Sequence, residues 1–76
     1  MNYKSLLRTT KDQAEITSYI CGRDYRIKAG YRQPVLDTGY QYLISKFPEL
    51  KEQIKDNWLK GWEQQHKIIL SAFKLV

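Results

Sequence analysis

With one cysteine and one histidine among 76 residues, the chain cannot close an internal disulfide or assemble a four-ligand structural zinc site. Long hydrophobic runs are also missing. The N-terminal MNYKSLLRTTKD offers only Leu6 and Leu7 as an apolar pair, so no signal peptide is expected. Nothing approaches the length of a membrane span. A reducing, cytoplasmic setting without a membrane partner is the expectation. Catalytic vocabulary is equally scarce: no P-loop, dinucleotide glycine pattern or nucleophile elbow occurs. His66 lies at the edge of an apolar stripe beside Trp62 and reads as a packed boundary residue. Cys21, with no histidine near it in sequence, reads as a small buried hydrophobe. Nearly all the acids have lysine neighbours at helical spacing, so they do not suggest a catalytic pair. A non-catalytic protein without a cofactor is expected.

What the chain does contain is apolar and basic. Hydrophobic residues make up 42% and charged residues 28%, which suits one small globular domain rather than disorder. Two tryptophans, six tyrosines and two phenylalanines supply much of the core material, because each aromatic buries a large area. Thirteen Lys and Arg against eight Asp and Glu give a net charge of +5. That excess favours an anionic partner: nucleic acid, a phospholipid surface or an acidic protein.

Gly30, Gln33-Pro34 and Phe47-Pro48 punctuate the chain and divide it into three parts. The first helix is expected to start near Thr10, which has capping-box spacing with Gln13, while Asp12 complements the dipole of the first turn. Ile16, Tyr19, Ile20 and Ile27 follow on one stripe. Gly22 or Gly30 could end this helix. Residues 24–32 also alternate like a strand, but no pairing partner exists elsewhere, so helix to about Ala29 is preferred. A second helix, about Asp37 to Phe47, carries Tyr40, Leu43 and Phe47, with Asp37 or Thr38 as its cap. The third begins at Pro48 and meets no further proline. Leu50, Ile54, Trp58, Trp62, Ile68, Ile69, Ala72, Phe73 and Val76 share one sector of it. Roughly 25 residues of helix span about 38 Å, longer than this core requires. Part of that helix is expected to project or to pack on another subunit. The fold class expected is all-α: a small three-helix domain with a long C-terminal amphipathic helix.

NWLKGW, residues 57–62, puts two tryptophans and a glycine on one turn of that helix. Glycine costs about 1 kcal/mol there relative to alanine, and what it permits is close approach of a neighbouring backbone. Two uses fit: a core contact with the first helix, or an exposed notch at Trp58, Gly61 and Trp62 that binds a protein partner. YICGR at 19–23 followed by WLKGWE at 58–63 resembles the ribosome modulation factor family. Gly22, Arg23, Trp58, Leu59, Gly61 and Trp62 are the matching positions, while the family's Cys-Pro-Tyr element after the Gly-Arg is absent. The resemblance implies binding to the small ribosomal subunit and silencing of translation through contacts to ribosomal RNA.

GRDYRIKAGYR, residues 22–32, is the most charge-biased stretch. Three of the four arginines lie in it, and arginine suits bidentate phosphate contact and stacking on bases. Arg23, Arg26, Lys28 and Arg32, with Tyr25 and Tyr31 interleaved, form the expected nucleic-acid-binding set. Beyond residue 46 the lysines alternate with acids. The resulting reading is a small basic regulator, of bacterial or phage type, that binds nucleic acid or a ribonucleoprotein. The alternative is an inhibitor or adapter that binds an acidic protein target. A homodimer through the C-terminal helix is compatible with either.

Overall fold

A computed structural model describes residues 6–28 and 30–74, Lys74 by its backbone alone. Ala29, at the expected end of the first helix, Val76, at the end of the apolar stripe, and residues 1–5 lie outside the described residues. The architecture is all-α. Helix α1 spans Ala14–Lys28, α2 spans Thr38–Lys46 and α3 spans Lys51–Lys74. Each is preceded by a single 3-10 turn: Lys11–Gln13, Pro34–Leu36 and Pro48–Leu50.

Local signals account for these boundaries. Gln13 Oε1 accepts from the Thr10 N–H, one arm of the anticipated capping box. Helix α1 continues through Gly22 and stops before Gly30, whose φ of 83° ends the helical path while its N–H bonds the Tyr25 carbonyl. Residues 24–28 are therefore helical, and the strand alternative for that stretch is set aside. Asp37 caps α2 by accepting from the Gly39 N–H at 3.1 Å. Helix α3 is continuous across Gly61. Its 24 residues, about 36 Å at 1.5 Å each, set the long axis of a molecule measuring 42 × 24 × 21 Å.

Helices α1 and α3 run side by side in the same direction, with Ser18 level with Ile54 and Gly22 level with Trp58. Their backbones nearly touch. A Cβ on Gly22 would lie 1.9 Å from the Trp58 carbonyl oxygen, and one on Gly61 would lie 2.0 Å from that of Tyr19. No side chain fits at either place. The Ser18 hydroxyl donates to the Ile54 carbonyl one turn earlier in the same contact. The buried side of α1 is thus a row of small residues, Ala14, Ser18 and Gly22, flanked by Thr17 and Cys21.

That arrangement corrects the stripe expected for α1. Ile16 is 67% exposed and Ile27 61% exposed, because small residues, not the isoleucines, meet α3. Large side chains come from the other helices. Tyr40, Leu43 and Phe47 of α2 and the following residue join Ile54, Trp58 and Trp62 of α3 in the core. Trp58 is completely buried, and its indole Nε1 donates to Asp37 Oδ2 at 2.8 Å. One carboxylate therefore caps α2 and fastens it to α3. At the far end the apolar stripe of α3 outruns its cover: Ile68 and Phe73 are exposed.

Two expectations follow. Gly22→Ala and Gly61→Ala each gain helix propensity yet force the backbones apart, so each lowers unfolding free energy by about 2–4 kcal/mol in chemical denaturation. Cys21 lies against Gly39, and burial, followed by the Asp37 carboxylate, pushes its thiol from 9.0 up to about 12. The unfolded thiol ionises first, so this contribution is intact below pH 9 and is lost as pH rises toward 12. The denaturation midpoint of the wild type should fall relative to Cys21→Ala across that window.

Candidate nucleic-acid interface

The cations of residues 23–32 do not stand together as free charges. Arg26 is half-buried: its guanidinium carbon lies 5.6 Å from the centre of the Trp62 ring, and its Nε donates to His66 Nδ1 at 3.0 Å. His66 in turn stacks on Trp62, with centroids 4.7 Å apart and planes at 24°. Since Nδ1 accepts, the neutral imidazole carries its proton on Nε2. Arg26 and His66 together roof the indole of Trp62, which is only 7% exposed and whose Nε1 finds no acceptor among the described residues. Cation–π attraction offsets part of that cost.

Arg32 reaches from the turn after α1 to α3, where Nε and Nη2 both donate to Glu63 Oε1. Arg23 is exposed and touches its neighbour Asp24 at 3.4 Å, a distance at which an exposed pair contributes little. Lys28 is exposed. Tyr31 is 62% exposed. Tyr25 is half-buried, with its ring 5.6 Å from that of Trp58, so its face is occupied by protein rather than left for a base. Of the six residues expected to form one site, Arg23, Lys28 and Tyr31 remain open. Arg26, Arg32 and Tyr25 are engaged internally.

The alternative site at Trp58, Gly61 and Trp62 is corrected by the same packing. Both indoles and the glycine are buried, because they form the seam between α1 and α3, and a partner could reach Trp58 only by parting the helices.

A different concavity opens beside that seam. Tyr19 of α1 and Lys60, Glu63, Gln64 and Lys67 of α3 line a groove of about 320 Å³. Close approach at Gly61 creates it, since Lys60 and Gln64 flank the glycine while Tyr19 supplies the opposing backbone. Glu63 is the one acid among the lining residues, and Arg32 holds it. With that acid neutralised, Lys60 and Lys67 face the groove as uncompensated cations, with Arg23 one helical turn beyond Tyr19. A phenol lining the same groove as two lysines can stack a base while the lysines meet phosphates.

The chain matches no family model, no curated protein and no solved structure. The geometry carries the functional reading. Among the described residues, no helix is long and apolar enough to cross a membrane.

Sequence reasoning placed Tyr19 on the apolar stripe of α1 and gave Lys60, Gln64 and Lys67 no binding role. The lysines have acids nearby along α3 and look balanced, and their relation to Tyr19 exists only once α1 and α3 lie parallel. The i, i+4, i+7 spacing of Lys60, Gln64 and Lys67 was the available signal.

The division between structural and free arginines is measurable. Arg26→Ala uncovers Trp62 and should cost about 1–2 kcal/mol with a red shift in tryptophan fluorescence. Arg23→Ala should stay within about 0.5 kcal/mol of wild type in the same denaturation series.

Proposed function

We propose that the protein is a non-catalytic regulator that binds RNA, within a ribonucleoprotein, along the groove between α1 and α3. The observation that supports this most directly is the Arg32–Glu63 ion pair, which engages the one acid among the described residues lining a groove with Lys60, Lys67 and Tyr19. Phosphates are the natural occupants of such a site, because counterion release drives their binding to unpaired cations. Arg23, one turn beyond Tyr19 on α1, extends the cationic surface. The net charge of +5 adds longer-range attraction.

The likeness to the ribosome modulation factor family supports the small ribosomal subunit as the first particle to test, with silencing of translation as the effect and the bacterial cytoplasm as the setting. Arg26 and Arg32 contribute indirectly on this reading: one roofs Trp62 and the other masks Glu63.

The test is the salt dependence of binding to a single-stranded RNA oligonucleotide and to purified small subunits. Lys60→Ala with Lys67→Ala should lower affinity and flatten the slope of log K against log salt by about 1.4, two single-strand phosphate contacts. Arg32→Ala should weaken binding by freeing Glu63, and Arg32→Ala with Glu63→Gln should restore it. Unchanged affinity and slope in the double lysine variant would remove the groove from consideration.

A further inference from the structure

Parallel packing puts the C-terminal ends of α1 and α3 at one pole of the molecule. Arg26 lies on Trp62 and His66, so the last turn of α1 is level with those residues. Helix α3 continues to Lys74, about two turns farther, roughly 11 Å. Helical register segregates this projecting tip into two sides. Leu70, Phe73, Ile69, Ala72 and Ile68 occupy an arc of about 200°. Lys67, Ser71 and Lys74 fall within about 60° of one another on the remaining side. Ile68, Leu70 and Phe73 are 53%, 45% and 74% exposed. Ile68 and Leu70, two residues apart, stand on opposite sides of the rod. A single helix laid against the tip would cover one of them and leave the other in water.

We propose that this tip inserts into the interfacial region of a bilayer that carries acidic phospholipid. An apolar arc this wide, with lysine opposite, is the pattern of a helix lying in a lipid interface. Headgroups meet the lysines there and acyl chains surround the rest. Charge selects acidic lipid. No acid occurs among residues 25–36, at the end of α1 and the turn after it, or among residues 64–76. The same stretches hold Arg26, Lys28, Arg32, Lys67 and Lys74. Asp12, Glu15, Glu49 and Glu52 belong to the opposite pole, where α1 and α3 begin and Lys11 pairs with Glu49. Glu63, the nearest acid along α3, is paired with Arg32. Tyr31, 62% exposed, stands on the turn that Arg32 fastens to α3, and a phenol suits the boundary between headgroup and acyl chain. The expectation of no membrane partner rested on the want of a spanning segment, and this mode of attachment needs none. A two-fold pairing of tips would set two acid-free poles together, and a head-to-tail array of copies would not close. Nucleic acid offers no apolar phase for Ile68 and Leu70. Of the tip residues, only Lys67 also lines the groove proposed for RNA.

The experiment uses the full chain and vesicles of two compositions, phosphatidylcholine alone and phosphatidylcholine with phosphatidylglycerol in equal parts. Binding is read by co-sedimentation, and circular dichroism verifies the fold of every variant. The mixed vesicles should bind at least about tenfold more tightly than the neutral ones, and added salt should narrow the difference. Leu70→Ser with Phe73→Ser should weaken binding to mixed vesicles at least about tenfold. Both side chains are exposed, so the fold should persist, and Leu70→Ala with Phe73→Ala provides a milder version of the same loss. Phe73→Trp adds an indole whose emission should shift to the blue with mixed vesicles only. Affinity for single-stranded RNA should be unchanged in the serine variant, which separates failure here from failure of the RNA reading. Several results would overturn the proposal. Among binding results these are no binding to mixed vesicles, equal binding to both compositions, and undiminished vesicle binding by the serine variant. Self-association that the serine variant abolishes would do the same, as would RNA affinity that falls with these substitutions while vesicle affinity does not.

Discussion

Everything in this molecule is arranged around two places where one helix backbone rests on another. Gly22 lies on the Trp58 carbonyl and Gly61 on the Tyr19 carbonyl, so the contact is reciprocal. Each helix supplies the gap that the other fills. Such a contact sets the register along the helix axis more firmly than meshed side chains do, because sliding α3 by one residue would drive a side chain into a peptide group. The Ser18 hydroxyl, bonded to the Ile54 carbonyl, marks the same register one turn earlier. The tryptophans then occupy fixed positions on either side. Trp58 is held through Asp37 to the start of α2, and Trp62 is covered by Arg26 and His66.

The charge distribution follows from that register. Arg26 is level with Trp62 and His66, and Arg32 returns from the turn to Glu63. Two of the three arginines in the most basic segment thereby become part of the structure. A paired Glu63 leaves lysines of α3, balanced in sequence, unbalanced in space. Net charge along a segment and net charge at a surface are different quantities here, and the helix contact converts one into the other.

The same contact decides which side of α1 meets solvent. Packing through alanine, serine and glycine allows a close helix pair, and it leaves the isoleucines of α1 outside with a basic residue among them. The molecule therefore presents a cationic groove over the seam of the helix pair and an apolar row along the outer edge of α1. Both are by-products of one choice of packing face.

Helical periodicity made α2 and α3 legible in the sequence. Tyr40, Leu43, Phe47, Ile54, Trp58 and Trp62 share faces by spacing alone and are buried as that spacing requires. The caps at Thr10 and Asp37 and the continuity of α3 through Gly61 were equally readable, since capping and chain stiffness are local. The orientation of α1 was not. A hydrophobic stripe points toward the core only if burial of large side chains is what holds the helix, and in α1 the deciding factor is backbone proximity, to which small residues contribute by being absent. Whether a given arginine was free or engaged was also beyond the sequence, because its partners are 31 to 40 residues away. The chain by itself determined where helices form and which aromatics they bury, through interactions within a few residues. Only the tertiary structure decided which face of α1 is covered and which charges remain, because both depend on the register of two backbones in contact.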